Sequence, residues 1–306
     1  MTGILILDKP QKFTSFDAVA VLRRLCGTRK IGHTGTLDPM ATGVLPILVG
    51  GATRAAELLP DTGKAYRASF RLGLRTDTQD IWGQVRQESP FCVSAAQLEA
   101  ACAPLRGDIM QVPPMMSAIR QNGVRLYDLA RQGVEVARDA RPVTVSELTV
   151  ESFLPADGTG ELTIRCSKGT YVRTLIADLG DALGCGAVMT ALRRTEACGF
   201  TLADAISLET ARALAAENRL AAQLRPVESL FASLPVIAVT PAQATRFANG
   251  GALAFDRLPA RRALPNGARY RVCTQAGVFL GLGEADGAQQ ELKMRRLFLP
   301  EAAKGE

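Results

Sequence analysis

The sequence predicts an α+β fold. Three observations carry that expectation. Residues 143–153 and 162–166 alternate apolar with polar side chains, as half-buried strands do. Ala18, Val21, Leu22 and Leu25, and again Val172, Leu175, Ile176 and Leu179, recur at helical spacing. The two kinds of segment do not follow one another in regular β-α-β order, which disfavours a doubly wound sheet.

Taken in chain order, residues 4–7 form a short strand ending at Lys9-Pro10. Thr14 or Ser15 caps the first helix and Gly27 ends it. Residues 31–51 hold five glycines and two prolines, and read as a structured loop leading into the apolar stretch 44–49. Residues 66–74 read as a strand, 76–83 as a polar turn and 95–102 as a short helix. Residues 111–141 differ in character. They contain Pro113-Pro114, Asn122-Gly123, the cations Arg120, Arg125, Arg131, Arg138 and Arg141, and one helical patch at 126–131. This is an excursion from the core. Thr170 is a plausible N-cap for the second apolar stripe, and Ser207 for a helix running to about Leu224. A boundary near residues 226–235 separates a unit spanning 1–230 from a small β-rich module, 231–306. That module has strand-like pieces at 236–239, 270–273 and 278–282.

The 306 residues are 47% hydrophobic and 22% charged, enough apolar material for a sizeable core. A net charge of +6, carried mainly by Arg, favours polyanionic partners, nucleic acid first. The seven cysteines include no C-x-x-C pair, which points away from a disulfide framework or a zinc site and fits a reducing cytoplasm. No signal peptide and no membrane-length apolar segment is expected.

Three constellations could carry chemistry. The first is the glycine-rich run 32–43, with Asp38 and the only histidine, His33. Asp38-Pro39 is equally readable as a plain turn, and a lone His as a surface residue or an RNA contact. The second is 166–175, where Tyr171 and Arg173 lie off the apolar stripe in the first helical turn. Arg173 is either an exposed side chain or one held to meet a carboxylate. The third is Lys64-Ala65-Tyr66 followed by residues 72–80, where Asp77 and Asp80 are turn formers or acids of a site. No phosphate-binding G-x-x-x-x-G-K-[ST], G-x-S-x-G or H-E-x-x-H occurs.

Together these segments resemble the TruB family, the bacterial tRNA pseudouridine-55 synthases. The likeness rests on residues 3–10 (GILILDKP), 33–39 (HTGTLDP), 41–46 (ATGVLP), Thr76-Asp77-Thr78 with Asp80 and Gly83, 111–114 (QVPP), 166–175 (CSKGTYVRTL) and 191–195 (ALRRT), in order, across residues 3 to about 200. The family often has an aromatic residue where Met116 stands here. Past residue 235 the likeness is looser.

The resemblance implies a pseudouridine-synthase fold with a central mixed, mainly antiparallel sheet and a PUA-like C-terminal module. It implies isomerisation of uridine 55 in the T-loop of tRNA by base flipping, without a cofactor or metal, by a cytoplasmic monomer that engages the T-arm stem-loop. Asp38 takes the part of the catalytic aspartate, and Tyr66 that of the stacking tyrosine and candidate proton acceptor. Arg173 takes that of the arginine paired with the aspartate. Tyr171 and Leu192 are pocket walls, His33 an RNA contact and Asp80 an acid near the flipped nucleotides. Residues 111–141 are the RNA-gripping thumb, and Lys168, Arg193 and Arg194 are phosphate contacts. The rival readings are an RNA-binding factor without turnover, a relative that depends on a guide RNA, and, more remotely, an unrelated hydrolase with an aspartate nucleophile, which would lack a metal-binding second acid next to Asp38.

Overall fold

The computed structural model describes residues 1–60, 63–258 and 264–299. Strand β1 (Gly3–Lys9) is buried on both faces, with Leu5 and Leu7 on one side and Ile4 and Ile6 on the other. Helix α1 (Ser15–Leu25) starts at Thr14. Its hydroxyl accepts from the Asp17 amide, and the Asp17 carboxylate accepts from the Thr14 amide, a reciprocal cap. Ala18, Val19 and Leu22 form its buried stripe, whereas Val21 and Leu25 are only half-buried. Part of the predicted loop is ordered: β2 (Ile31–His33) pairs antiparallel with β3 (Thr42–Val49), leaving residues 34–41 as the loop proper.

Strand β4 (Lys64–Leu72) turns Tyr66, Ala68, Phe70 and Leu72 to one face. A hairpin of β5 (Leu74–Thr76) and β6 (Val85–Glu88) follows, then α2 (Ala95–Cys102) and β7 (Gly107–Gln111). The arginine-rich excursion holds a two-residue hairpin, β8 (Arg120–Gln121) with β9 (Val124–Arg125), and α3 (Leu126–Arg131). Asn122 and Gly123, at φ 51° and 83°, supply the left-handed residues that such a turn requires. The chain then returns through β10 (Arg141–Leu154), β11 (Thr159–Cys166), α4 (Val172–Ala182), β12 (Ala187–Ala197), β13 (Phe200–Thr201), β14 (Ile206–Ser207) and α5 (Leu208–Ala216). Ser207 does cap α5, but the helix ends well before Leu224, because Asn218 adopts φ 57° and turns the chain away.

The strands form a ten-stranded sheet in the order β14-β1-β3-β12-β4-β11-β10-β7, with β2 and β13 attached to β3 and β12. Only the β1–β14 and β3–β12 pairs are parallel. The fold expectation therefore holds: a mixed, mainly antiparallel sheet. One face carries α1, α2, α4 and α5 over a continuous apolar layer. The other face meets a second, five-stranded sheet built from β15 (Val236–Val239), β16 (Leu253–Ala254), β17 (Arg269–Thr274), β18 (Phe279–Asp286) and β19 (Glu291–Leu297), with α6 (Pro241–Ala248) beside it. The two sheets are joined by a ring cluster. Phe231 lies 6.3 Å from Phe279 and 5.8 Å from Phe298, centroid to centroid, and packs under Ile4, Ile6 and Val44. No helix among the described residues is long and apolar enough to cross a membrane.

Phe231 is fully buried, so Phe231→Ala is expected to lower unfolding stability by about 3–5 kcal/mol, read from urea denaturation. A loss under about 1 kcal/mol would mean that this cluster does not hold the sheets together.

Candidate active site

Loop 34–41 is held from below and from both sides. Ser15, the first residue of α1, accepts a hydrogen bond from the Leu37 amide (2.8 Å) and donates to the Leu37 carbonyl (3.2 Å). The Lys12 amide donates to the Pro39 carbonyl (2.8 Å), and the Ala41 amide to the Asp38 carbonyl (3.0 Å). Leu37 and Met40 anchor the loop in the apolar layer. Asp38 is thus both the turn residue and an acid with 36% of its side chain still open to solvent.

Arg173, the second residue of α4, reaches this loop. Its Nε is 2.9 Å from Asp38 Oδ2, with only 5% of the arginine side chain exposed. The remaining nitrogens are spoken for: Nη1 donates to the Thr78 carbonyl (2.9 Å) and lies 3.8 Å from Asp80 Oδ2, and Nη2 donates to the Met116 carbonyl (2.9 Å). Three segments from distant parts of the chain therefore converge on the guanidinium that a fourth supplies. An arginine suits the place because its donors form a fixed planar fork. The contact at Met116 uses the backbone carbonyl, so the departure from the family's side chain there leaves this bond intact.

Two further cations sit beneath the loop without solvent exposure. Arg194 on β12 donates from Nε to the Val44 carbonyl (2.6 Å), from Nη1 to the Thr36 carbonyl (3.4 Å) and from Nη2 to the Gly35 carbonyl (3.2 Å). Lys9 donates to the carbonyls of Pro10 (2.9 Å) and Phe13 (2.7 Å). Burial pulls the Lys9 ammonium down to about 8, with the Asp38 charge opposing the shift. Burial pushes the Tyr66 hydroxyl up to about 12, with Arg194 opposing, so Tyr66 is a neutral phenol near pH 7. His33 is shifted downward, first by burial and then by Arg194.

The predicted residues fall into distinct places. Asp38, Arg173 and Asp80 meet. Tyr66 and Leu192 share one face of neighbouring strands, Leu192 standing opposite Ala68. Tyr171 is the N-cap residue of α4 in place of Thr170, whose hydroxyl instead donates to the Ser167 carbonyl (3.1 Å). The Tyr171 backbone is fixed by Gln111, which accepts from its amide (2.8 Å) and donates to its carbonyl (3.2 Å). His33 lies on β2, half-buried, and Lys168 is exposed in the turn before α4. Arg193 points to the opposite face from Arg194, where it pairs with Asp8 (2.7 and 3.2 Å) and Thr42 (3.2 Å). Arg194 cannot be a phosphate contact, since it is sealed inside the protein. Ser15, Gln111 and the carbonyls of Thr78 and Met116 stand in segments the sequence singles out, but it gives them no part in the site. Their partners are long-range, and no local pattern marks those pairings.

Residues 23–172 match the sequence model of the TruB family pseudouridylate synthase (N terminal domain). Residues 173–232 match the tRNA pseudouridylate synthase B C-terminal domain, and 235–298 the pseudouridine synthase II TruB, C-terminal. The tRNA pseudouridine synthase B of Ralstonia pickettii is 45% identical over 272 residues, 88% of this chain and 84% of the relative. That of Escherichia coli K12 is 42% identical over 297 residues, 94% and 92% of the two chains. Among solved structures, a Cbf5-Nop10-Gar1 complex aligns with TM-score 0.76 at 24% identity, covering 98% of this chain and 86% of that one. An H/ACA RNP bound to a substrate RNA containing 2'-deoxyuridine aligns with TM-score 0.74 at 22% identity, covering 97% and 85%. These two establish a shared fold. On the matched families and the extent of the bacterial likeness, the chain belongs to the TruB family of pseudouridylate synthases.

Proposed function

We propose that this chain is a tRNA pseudouridine synthase that isomerises uridine 55 of the T-loop, with Asp38 acting at the glycosidic carbon. One observation carries the reading: Asp38 and Arg173 form a 2.9 Å ion pair on a partly open surface, in a chain of this family. The bacterial relatives named above carry that activity in their names.

The chemistry asks for such a pair. The bond from uracil N1 to the ribose C1′ breaks, a C5–C1′ bond forms, and the proton leaving C5 is balanced by one gained at N1. No electron or group is needed from outside. Positive charge develops at C1′ as N1 departs, and a fixed carboxylate can stabilise it, bond to it, or take the neighbouring sugar proton. Arg173 keeps that carboxylate aimed. The detached uracil must stay and turn over, and the flat or apolar walls of Tyr66, Tyr171 and Leu192 hold it without pinning its edges.

The uridine reaches the acid only by leaving its stack, which costs a few kcal/mol. The exposed Arg120, Arg125, Arg131 and Arg141, with Lys168, supply phosphate contacts that offset this. Tyr127 braces two of these cations: the guanidinium carbons of Arg125 and Arg131 lie 5.6 and 5.4 Å from its ring centroid. The free thiols of the chain suit a reducing cytoplasm, where we place the reaction. The chain acts alone, as a monomer and without a guide RNA.

Asp38→Asn is expected to bind a T-arm stem-loop with near-native affinity and to form no pseudouridine, measured by tritium release from C5-labelled uridine. Normal release would remove Asp38 from the chemistry. Arg173→Ala is expected to reduce single-turnover rate at least about 100-fold while RNA binding weakens less than about fivefold, as fits an interaction made in the transition state. Matching small losses in both would argue against the pair. If purified wild-type protein leaves position 55 of bare tRNA unmodified, the assignment itself fails.

A further inference from the structure

The β5–β6 hairpin leaves three large apolar side chains exposed. At its tip Ile81 is 38% and Trp82 51% exposed, and Val85 at the start of β6 is 54% exposed. Trp82 is the sole tryptophan of the chain. Among the described residues no other aromatic ring or guanidinium lies over it. Large apolar groups clustered on a surface mark a contact.

The backbone beneath them is rigid and tied to the acid site. Asp80 Oδ1 accepts from the Trp82 amide (3.0 Å) and the Thr78 hydroxyl (2.8 Å), while Thr76 donates to the Asp80 carbonyl (2.7 Å). The Ile81 amide donates to the Met189 carbonyl (2.9 Å), and Thr174 of α4 donates to the Gln79 side chain (2.8 Å). Gly83 lets the turn close, since a Cβ there would sit 2.2 Å from Thr78 Oγ1. The other oxygen of Asp80 is the one 3.8 Å from Arg173. One carboxylate thus faces the Arg173–Asp38 pair with one oxygen and fixes the turn that carries Trp82 with the other.

We propose that Trp82 is a stacking platform for an unpaired RNA base beside the uridine held at Asp38. A single planar ring on a hydrogen-bonded turn matches one base, and its backbone is one hydrogen bond from Asp80, itself beside Arg173. RNA bases freed from their helix are held by aromatic faces in this way. The inference rests on the proposed function in taking the ligand as RNA. It adds a residue that sets which nucleotides beside the target are held.

The test uses the full-length Asp38→Asn protein and a T-arm stem-loop RNA. Trp82 alone supplies the tryptophan emission, so its quenching on titration reads stacking without turnover. Saturable quenching that tracks RNA binding by filter retention is expected. In the otherwise wild-type enzyme, Trp82→Ala is expected to raise KM about tenfold, with kcat within about twofold, and Trp82→Phe to restore KM to within about threefold. Unchanged emission on saturating RNA, equal quenching by the base-free polyanion heparin, or an unchanged KM in Trp82→Ala would each overturn the proposal. Absence of pseudouridine from the wild-type reaction would sink the proposed function instead, and the quenching would still decide the role of Trp82.

Discussion

The ion pair between Asp38 and Arg173 is the constraint on which the rest of the arrangement depends. A buried guanidinium without a partner costs several kcal/mol, and so does an acid whose partner is removed. The fold meets that demand by bringing the β2–β3 loop, the turn after β5, the segment around Met116 and the start of α4 to one point. None of these pieces can shift alone without leaving a charge or a carbonyl unmatched. The sheet order serves the same end: β4 and β12 lie side by side at its centre, and the site's apolar walls rise from one face of both.

Beneath the loop, the enclosed Lys9 and Arg194 hydrogen-bond mostly to backbone carbonyls. Buried charge is tolerable only when its donors are satisfied. The carbonyls of Gly35, Thr36 and Val44 do this for Arg194, which makes the conformation of the loop and the burial of that cation a single condition. A carbonyl that turned away from the cation would leave donors unmet. The loop therefore owes its shape to β12 as well as to its own glycines. Gly43 shows how close the two come: at φ 105°, a Cβ there would sit 2.1 Å from the Arg194 carbonyl.

Much of this was legible beforehand. Helices α2 and α3 occupy the expected residues 95–102 and 126–131, and β10 and β11 contain the expected alternating stretches, whereas β4 ends at Leu72 and not at Leu74, because Gly73 at φ 78° breaks the strand. Those signals are local. Other errors arose where a distant partner decided the outcome. Tyr171 rather than Thr170 begins α4 because Gln111 holds its backbone. Arg193 and Arg194 looked alike as surface cations, yet strand alternation sends them to opposite faces, one to Asp8 and one inward. The meeting of Asp38 with Arg173 could be named from family likeness, but no spacing rule foretold its depth or the carbonyls around it.

The arginine-rich excursion leaves the sheet at the end of β7 and re-enters at the start of β10, and those two residues, Gln111 and Arg141, stand directly opposite each other. Both ends of the segment are thus pinned at one rung of the ladder. Residues added or lost beyond Met116 change only a closed loop, and doubling such a loop costs about 0.6 kcal/mol. The sheet is indifferent to its length, and the acid site asks only that the Met116 carbonyl keep its place on Arg173. Natural variation, or a designer, can therefore redraw the appendage that meets the polymer while the chemistry below keeps its geometry.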